Sequence, residues 1–199
     1  MNGRTTPRRV RGRAGLAAAL VLVLSLSACS SDDEPAPEPE RPGAEETPSE
    51  SVELVSRVGQ VAGDLPQRQR RRTVTEVADV VDAWFEAAYV GGDLPRSHYD
   101  DAFPGFTRKA ARLAGRSMDL MTNADIGPQI ERIEVERRRV LVDMLSGNGR
   151  AAAATARIQL DFSTEGEVTG DFSVAGRLFL IRVGGDWRII GFDVTKERS

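Results

Sequence analysis

The stretch that decides the fold is RAAAATARIQLDFS, residues 150–163. Polar side chains occupy the positions between its apolar ones, among them Arg157 and Asp161. A period of two is typical of a β-strand that lays one face on a core and turns the other to solvent. The side chains predicted to face the core are Ala152, Ala154, Ala156, Ile158, Leu160 and Phe162.

Strand patterns also lie on both sides of this segment. Residues 129–146 precede it, and the Gly-Asn-Gly of residues 147–149 is a strong hairpin signal. Residues 167–183 follow, with a slip in the alternation near Gly176 that suggests a β-bulge. Residues 187–195 (WRIIGFDVT) read as the last strand. The C-terminal half therefore predicts four antiparallel strands joined in chain order.

Helical patterns come before these strands. Residues 66–90 carry one apolar stripe at three-to-four spacing, and Gly91 is expected to end this helix. Thr107 is the predicted N-cap of a second helix, whose apolar face comprises Ala110, Leu113, Ala114, Ser117, Met118 and Met121. Residues 52–61 remain ambiguous between a short strand and a helix.

Helices followed by a meander of strands predict an α+β domain, with helices packed on one face of a curved, four-stranded antiparallel sheet. Over residues 66–195 this order resembles the nuclear-transport-factor-2-like (cystatin-like) fold, in which such a sheet wraps helices into a cone. Isomerases and dehydratases share that cone with assembly modules and inactive lipoproteins, so the resemblance implies no single activity.

The N-terminus resembles a bacterial lipoprotein signal peptide. Five arginines within residues 4–13 precede the short apolar core GLAAALVLVLSL of residues 15–26. Leu26, Ser27, Ala28 and Cys29 match the lipobox, in which cleavage after the third residue leaves an acylated cysteine. The resemblance implies cleavage between Ala28 and Cys29, a lipid anchor on Cys29, and a location at the outer, extracytoplasmic face of the cell membrane.

Composition divides the remainder of the chain. Residues 29–51 follow the signal peptide (1–28) as an acidic, proline-rich tether that cannot bury enough apolar surface to fold. Residues 52–199 form the predicted domain, and their formal charge is about −1. A near-neutral domain gives no reason to expect nucleic acid as a partner. The single cysteine excludes a disulfide within one chain.

Few residues carry candidate chemistry. His98, the only histidine, and Asp101 lie in one loop and are candidate general bases. Neighbours in a loop do not reliably face each other, and the alternative is a loop held by its aromatic residues. Motifs for a metal or a cofactor are missing from the sequence, so none is expected. Residues that could line a pocket for a small apolar ligand, or could equally be plain core, are Trp84, Tyr89, Tyr99, Met118, Met121 and Trp187.

Arginines at positions 68 and 70–72 begin the first helix. They predict a solvated helical face, with contact to an anionic membrane surface as the alternative. Taken together, the sequence favours a membrane-anchored, non-catalytic module that binds an envelope protein or a small apolar ligand. The alternative is a small cone-pocket enzyme, an isomerase or hydrolase, with His98 or Asp101 as its base.

Overall fold

A computed structural model of the chain describes residues 52–199 as an α+β domain built on one mixed sheet. The sheet has five strands in chain order and is not closed, so β1 and β5 are its edges. The prediction of four antiparallel strands is wrong by one, because the ambiguous segment 52–61 adds a strand parallel to β2. The strands are β1 (Val55–Ala62), β2 (Ile130–Gly147), β3 (Arg150–Gly166), β4 (Gly170–Val183) and β5 (Asp186–Arg198).

The long first helix, α1 (Gln67–Phe85), begins after Pro66 and continues into a π-helical turn, Glu86–Val90, that ends at Gly91. Its predicted stripe is confirmed: Val74, Val77, Val81, Trp84 and Ala88 are all buried. The inner face of the sheet is the face that carries α1, and the outer face is the opposite one.

The second predicted helix is divided in two. Thr107 caps α2 (Arg108–Ala114) by accepting a hydrogen bond from the Ala110 amide, as predicted. The chain then turns and forms the short α3 (Met118–Met121), and a 3₁₀ turn, Gly127–Gln129, leads into β2. The predicted helical face is wrong at Leu113, which is 51% exposed, because the buried side of α2 is the one that carries Ala110 and Ala114.

The alternation that predicted β3 is confirmed over most of its length. Ala154, Ala156, Ile158, Leu160 and Phe162 are buried against α1 and its neighbours. Ala152 was placed on the wrong face and is exposed, whereas Ala151 is buried. The cause is a register shift on β3: Leu145 and Ser146 of β2 pair with Ala153 and Ala151, so Ala152 is an additional residue and the facing reverses beyond it.

The bulge predicted at Gly176 is wrong, because Gly176 pairs in regular register with Ile158 on β3 and Val194 on β5. It is a glycine for another reason: a Cβ there would collide with the Asp193 carbonyl oxygen, and φ is +147°. The irregularity lies instead between Phe179 and Leu180, where β5 contributes the additional residue Ile190.

The cleavage site, Cys29 and the tether all lie outside the described residues. Within residues 52–199, the helices do not combine the length and the hydropathy that a membrane span requires.

Candidate binding surface

The two candidate bases lie at the surface of the domain. His98 is exposed, and its Nδ1 lies 3.1 Å from the hydroxyl of the adjacent Ser97. Asp101 is also exposed. Within residues 52–199, His98 has no carboxylate as a hydrogen-bond partner. The loop is held by Tyr99, which is buried and lies 4.2 Å, by its ring centre, from the Arg96 guanidinium.

The six residues predicted to line a pocket do not converge on one cavity. Trp84, Tyr89 and Met121 are buried in the core, where Trp84 packs edge-on against Tyr89 with ring centres 5.4 Å apart. Tyr99 and Met118 line a shallow hollow of about 460 Å³ beside α2. Trp187 lines a separate cleft of about 480 Å³ between α1 and the β4–β5 turn.

Tyr89 connects the end of α1 to the segment before β2. Its hydroxyl donates to the Leu120 carbonyl at 2.7 Å, and the Asn123 side chain donates to the Tyr89 carbonyl at 2.9 Å. Burial, with a contribution from the charge of Asp125, raises the pKa of Tyr89 well above 10. A neutral, buried and hydrogen-bonded phenol has a structural role here.

Glu76 is the centre of an ionic network in the Trp187 cleft. Its carboxylate accepts hydrogen bonds from Arg72 at 2.7 Å, Arg182 at 2.5 Å and the Trp187 indole at 3.2 Å. Burial alone would raise the pKa of Glu76, but the bonds from Arg72 and Arg182, with the charge of Arg182, lower it overall. The Glu76 carboxylate therefore has all of these partners within the domain, and they join α1 to β4 and β5.

The arginine run at the start of α1 does not form one continuous basic face. Arg70 donates to the Leu65 carbonyl at 2.7 Å, and Arg72 pairs with Glu76. Arg68 and Arg71 are exposed. Half of the run therefore stabilises the start of the helix and half is solvated.

The outer face of the sheet carries a row of arginines that sequence reasoning did not bring together. The strand register places Arg57 of β1 beside Leu141 of β2, and Leu141 opposite Arg157 of β3. Arg157 in turn lies opposite Arg177 of β4. Arg139, two residues before Leu141, faces the same side.

Two adjoining hollows follow this row and share Arg157. The first, of about 490 Å³, is lined by Arg57, Arg139 and Arg157, with Val55 and Leu141 among its apolar residues. The second, of about 390 Å³, is lined by Arg157 and Arg177 together with Phe179 and Asp143. We call the two hollows together the arginine groove. Its lining holds four arginines against one acid, Asp143.

Apolar side chains adjoin the arginine groove at the hairpin end of the outer face. Ile181 lies opposite Ala153, two residues beyond Phe179 along β4. Large apolar residues that remain exposed in this part of the domain are Leu145 at 56%, Phe179 at 38%, Val183 at 48% and Ile190 at 44%.

Arg157 and Asp161 each form a cross-strand ion pair on the outer face. Arg157 lies 3.0 Å from Asp143, and Asp161 lies 2.8 Å from Arg137. The signal in the sequence for the remainder of the groove was arginine at alternate positions of strand patterns, such as Arg139 and Arg157. This signal could locate the groove only if the pairing of the strands were known, and the pairing includes the parallel strand β1, which the sequence left ambiguous.

Comparison of the chain with protein-family models, with curated proteins and with solved structures found no match. Within the described domain, histidine, cysteine and acidic side chains do not form a group of three that could hold a metal ion.

Proposed function

We propose that the chain is a lipid-anchored, extracytoplasmic protein whose domain is a non-catalytic interaction module that binds an envelope protein through the outer face of its sheet. The lipobox-like Leu26 to Cys29 supports the anchor and the location. The acidic, proline-rich composition of residues 30–51 supports a tether that holds the domain away from the bilayer.

The observation that carries the binding role is the uncovered outer face. Its exposed apolar residues come from several strands, so they are neighbours only in the fold. Contiguous exposed apolar surface beside charged residues is typical of protein interaction sites. The inner face is already occupied, because α1 seals it with Trp84 and Phe85, both fully buried.

The relation to the nuclear-transport-factor-2-like fold is part of the same proposal. A long helix followed by the antiparallel meander β2–β5 supports it. In that fold the space between helices and sheet can be a ligand cavity. Here bulky side chains fill the described interior, since Tyr89 packs against both Trp84 and Phe162. This filling favours a role for the outer face over one for the interior.

Site-specific photo-crosslinking in native membranes tests the proposal. A benzophenone amino acid replaces Phe179 on the outer face in one variant and the exposed Arg71 on α1 in the matched control. We expect a discrete protein adduct from position 179 and none from position 71. Adding Phe179→Asp to a third variant, with the photoreactive residue at Val183, should remove the adduct. Adducts of equal yield from both faces, or none from position 179, would contradict the proposal.

A further inference from the structure

We infer that the arginine groove binds an extended acidic segment of a protein partner, in which carboxylates alternate with small apolar side chains. This inference rests on the proposed function, because it names the chemistry of the partner that the outer face would bind. It is carried by the charges, the register and the shape of the groove.

The groove carries more arginines than acids in its lining. Within residues 52–199, Arg57, Arg139 and Arg177 have no acidic side chain within ion-pair distance, and all three are exposed. Among the four arginines, Arg157 alone has an ion-pair partner in the described domain. That partner, Asp143, also accepts a hydrogen bond from the backbone N–H of Gln60 at 2.7 Å. The local excess of arginine contrasts with a domain whose formal charge is about −1. Guanidinium groups bind carboxylates through paired hydrogen bonds, so an acidic ligand is complementary.

The register places two like charges against each other. Arg157 and Arg177 are directly opposite on β3 and β4, an arrangement that is unfavourable for like charges. Asp143 pairs with Arg157 from β2, and the register places Asp193 of β5 opposite Arg177, although the two do not form an ion pair. Asp143 on β2 and Asp193 on β5 both lie on the outer sides of this pair, so neither separates the two guanidinium groups. A carboxylate bound between Arg157 and Arg177 would relieve this repulsion.

The dimensions of the groove suit a short extended chain. It crosses from β1 to β4, and three inter-strand steps of about 4.8 Å give roughly 14 Å. At about 3.3 Å per residue this length holds about four residues of extended peptide. Leu141 lies between Arg57 and Arg157, and Val55 and Phe179 lie beside the row of arginines. These apolar side chains would contact the alternate positions of the ligand.

A hollow surface favours a polypeptide over a membrane. Hollows of about 490 and 390 Å³ admit side chains and backbone, whereas a flat bilayer would contact only their rims. A bilayer surface would also attract any exposed basic residue, including Arg68 and Arg71 on α1. The two possibilities therefore predict different variant effects.

Fluorescence anisotropy with defined peptides tests the inference. The protein is the chain from residue 29 with Cys29→Ser, and the probes are short labelled peptides that alternate valine with glutamate, glutamine or lysine. We expect saturable binding of the glutamate peptide only, weakened by added salt. Arg57→Gln with Arg139→Gln should reduce its affinity by about tenfold or more. The control, Arg68→Gln with Arg71→Gln, changes the net charge equally and should change the affinity less than about twofold.

Each outcome decides between the possibilities. A loss in Arg57→Lys with Arg139→Lys that is smaller than the loss in the glutamine variant would support the inference, because lysine keeps the charge but not the paired hydrogen bonds. Equal loss in both glutamine variants would overturn it, since net charge alone would then explain binding. Binding to vesicles of phosphatidylcholine with phosphatidylglycerol, but not to the glutamate peptide, would overturn it in favour of a membrane surface. A crosslinked partner at position 179 whose capture is unaffected by the Arg57 and Arg139 substitutions would overturn this inference and leave the proposed function standing.

Discussion

Arg138 on β2 donates a 2.5 Å hydrogen bond to Glu86, in the π-helical turn that ends the first helix. The same guanidinium reaches Asp82 at 3.0 Å, so one side chain that is 9% exposed joins the sheet to the helix through two carboxylates. A buried arginine tolerates removal of one partner better than removal of both, because the second loss leaves a buried charge without a counter-ion.

Removing the acids of this cluster should therefore destabilise the domain non-additively. We expect Glu86→Gln to lower the free energy of unfolding by about 1 kcal/mol. The double variant Asp82→Asn with Glu86→Gln should lose about 3 kcal/mol, more than the sum of the single variants. Urea denaturation measures each value, and Glu131→Gln, at an exposed site, is the control. Additive losses would mean that Arg138 is solvated.

The second prediction concerns the effect of a side chain at Gly176 on the stability of the domain. Its neighbour across the ladder, the Asp193 carbonyl, leaves no room for a Cβ. We expect Gly176→Ala to destabilise the domain by about 2 kcal/mol or more, because the backbone of β5 must move. Gly147→Ala is the matched control, since a Cβ there meets nothing within 4 Å. It should change the stability by less than about 0.5 kcal/mol in the same urea titration. Equal effects at both positions would contradict the close approach of β4 and β5.

Local patterns were sufficient for much of this fold. The stripe of α1, the cap at Thr107 and the alternation of β3 each depend on neighbours a few residues apart, and each is confirmed. Errors arose where distant segments decide the outcome. The prediction for Ala152 is wrong because the pairing with β2 leaves it as an additional residue, and the bulge predicted at Gly176 is wrong because its contact with Asp193 is non-local.

The difference between local patterns and long-range contacts also explains how much of the candidate site could be predicted. Trp84, Tyr89 and Trp187 were recognisable as large side chains at helical or strand spacing, but spacing alone does not separate a pocket from a core. The arginine groove draws on four strands and becomes visible only once Arg57 is placed beside Leu141 by the parallel pairing of β1. Single-sequence patterns do not define a parallel register, because no turn connects the two strands.

A further prediction concerns the contribution of Glu76 to the stability of the domain, which should depend on pH. Its pKa is lowered in the folded state, so its contribution to stability is present above the unfolded pKa of about 4.3 and is lost as pH falls through the folded value. We expect Glu76→Gln to cost about 1 to 2 kcal/mol at pH 7. The difference from the parent protein should shrink below about pH 4. Thermal unfolding across this range measures it, with the exposed Glu167→Gln as control. A difference independent of pH would show that the Glu76 charge is not involved.

The last prediction concerns Cys29, whose acylation would determine where the domain is located. Acyl chains contribute about 0.8 kcal/mol per buried methylene, so two or more chains hold a protein firmly on a bilayer, whereas one chain is marginal. In the native host we expect the parent chain in the membrane pellet, beginning at Cys29, with an intact mass that includes the acyl chains. Cys29→Ser should abolish the acylation and the signal cleavage that depends on it. Ser31→Ala, two residues away and outside the four-residue box, is the control and should behave as the parent does. A parent protein with an unmodified thiol at Cys29, or one that retains the arginines of residues 4–13, would contradict the anchor while leaving the proposed chemistry of the arginine groove unaffected.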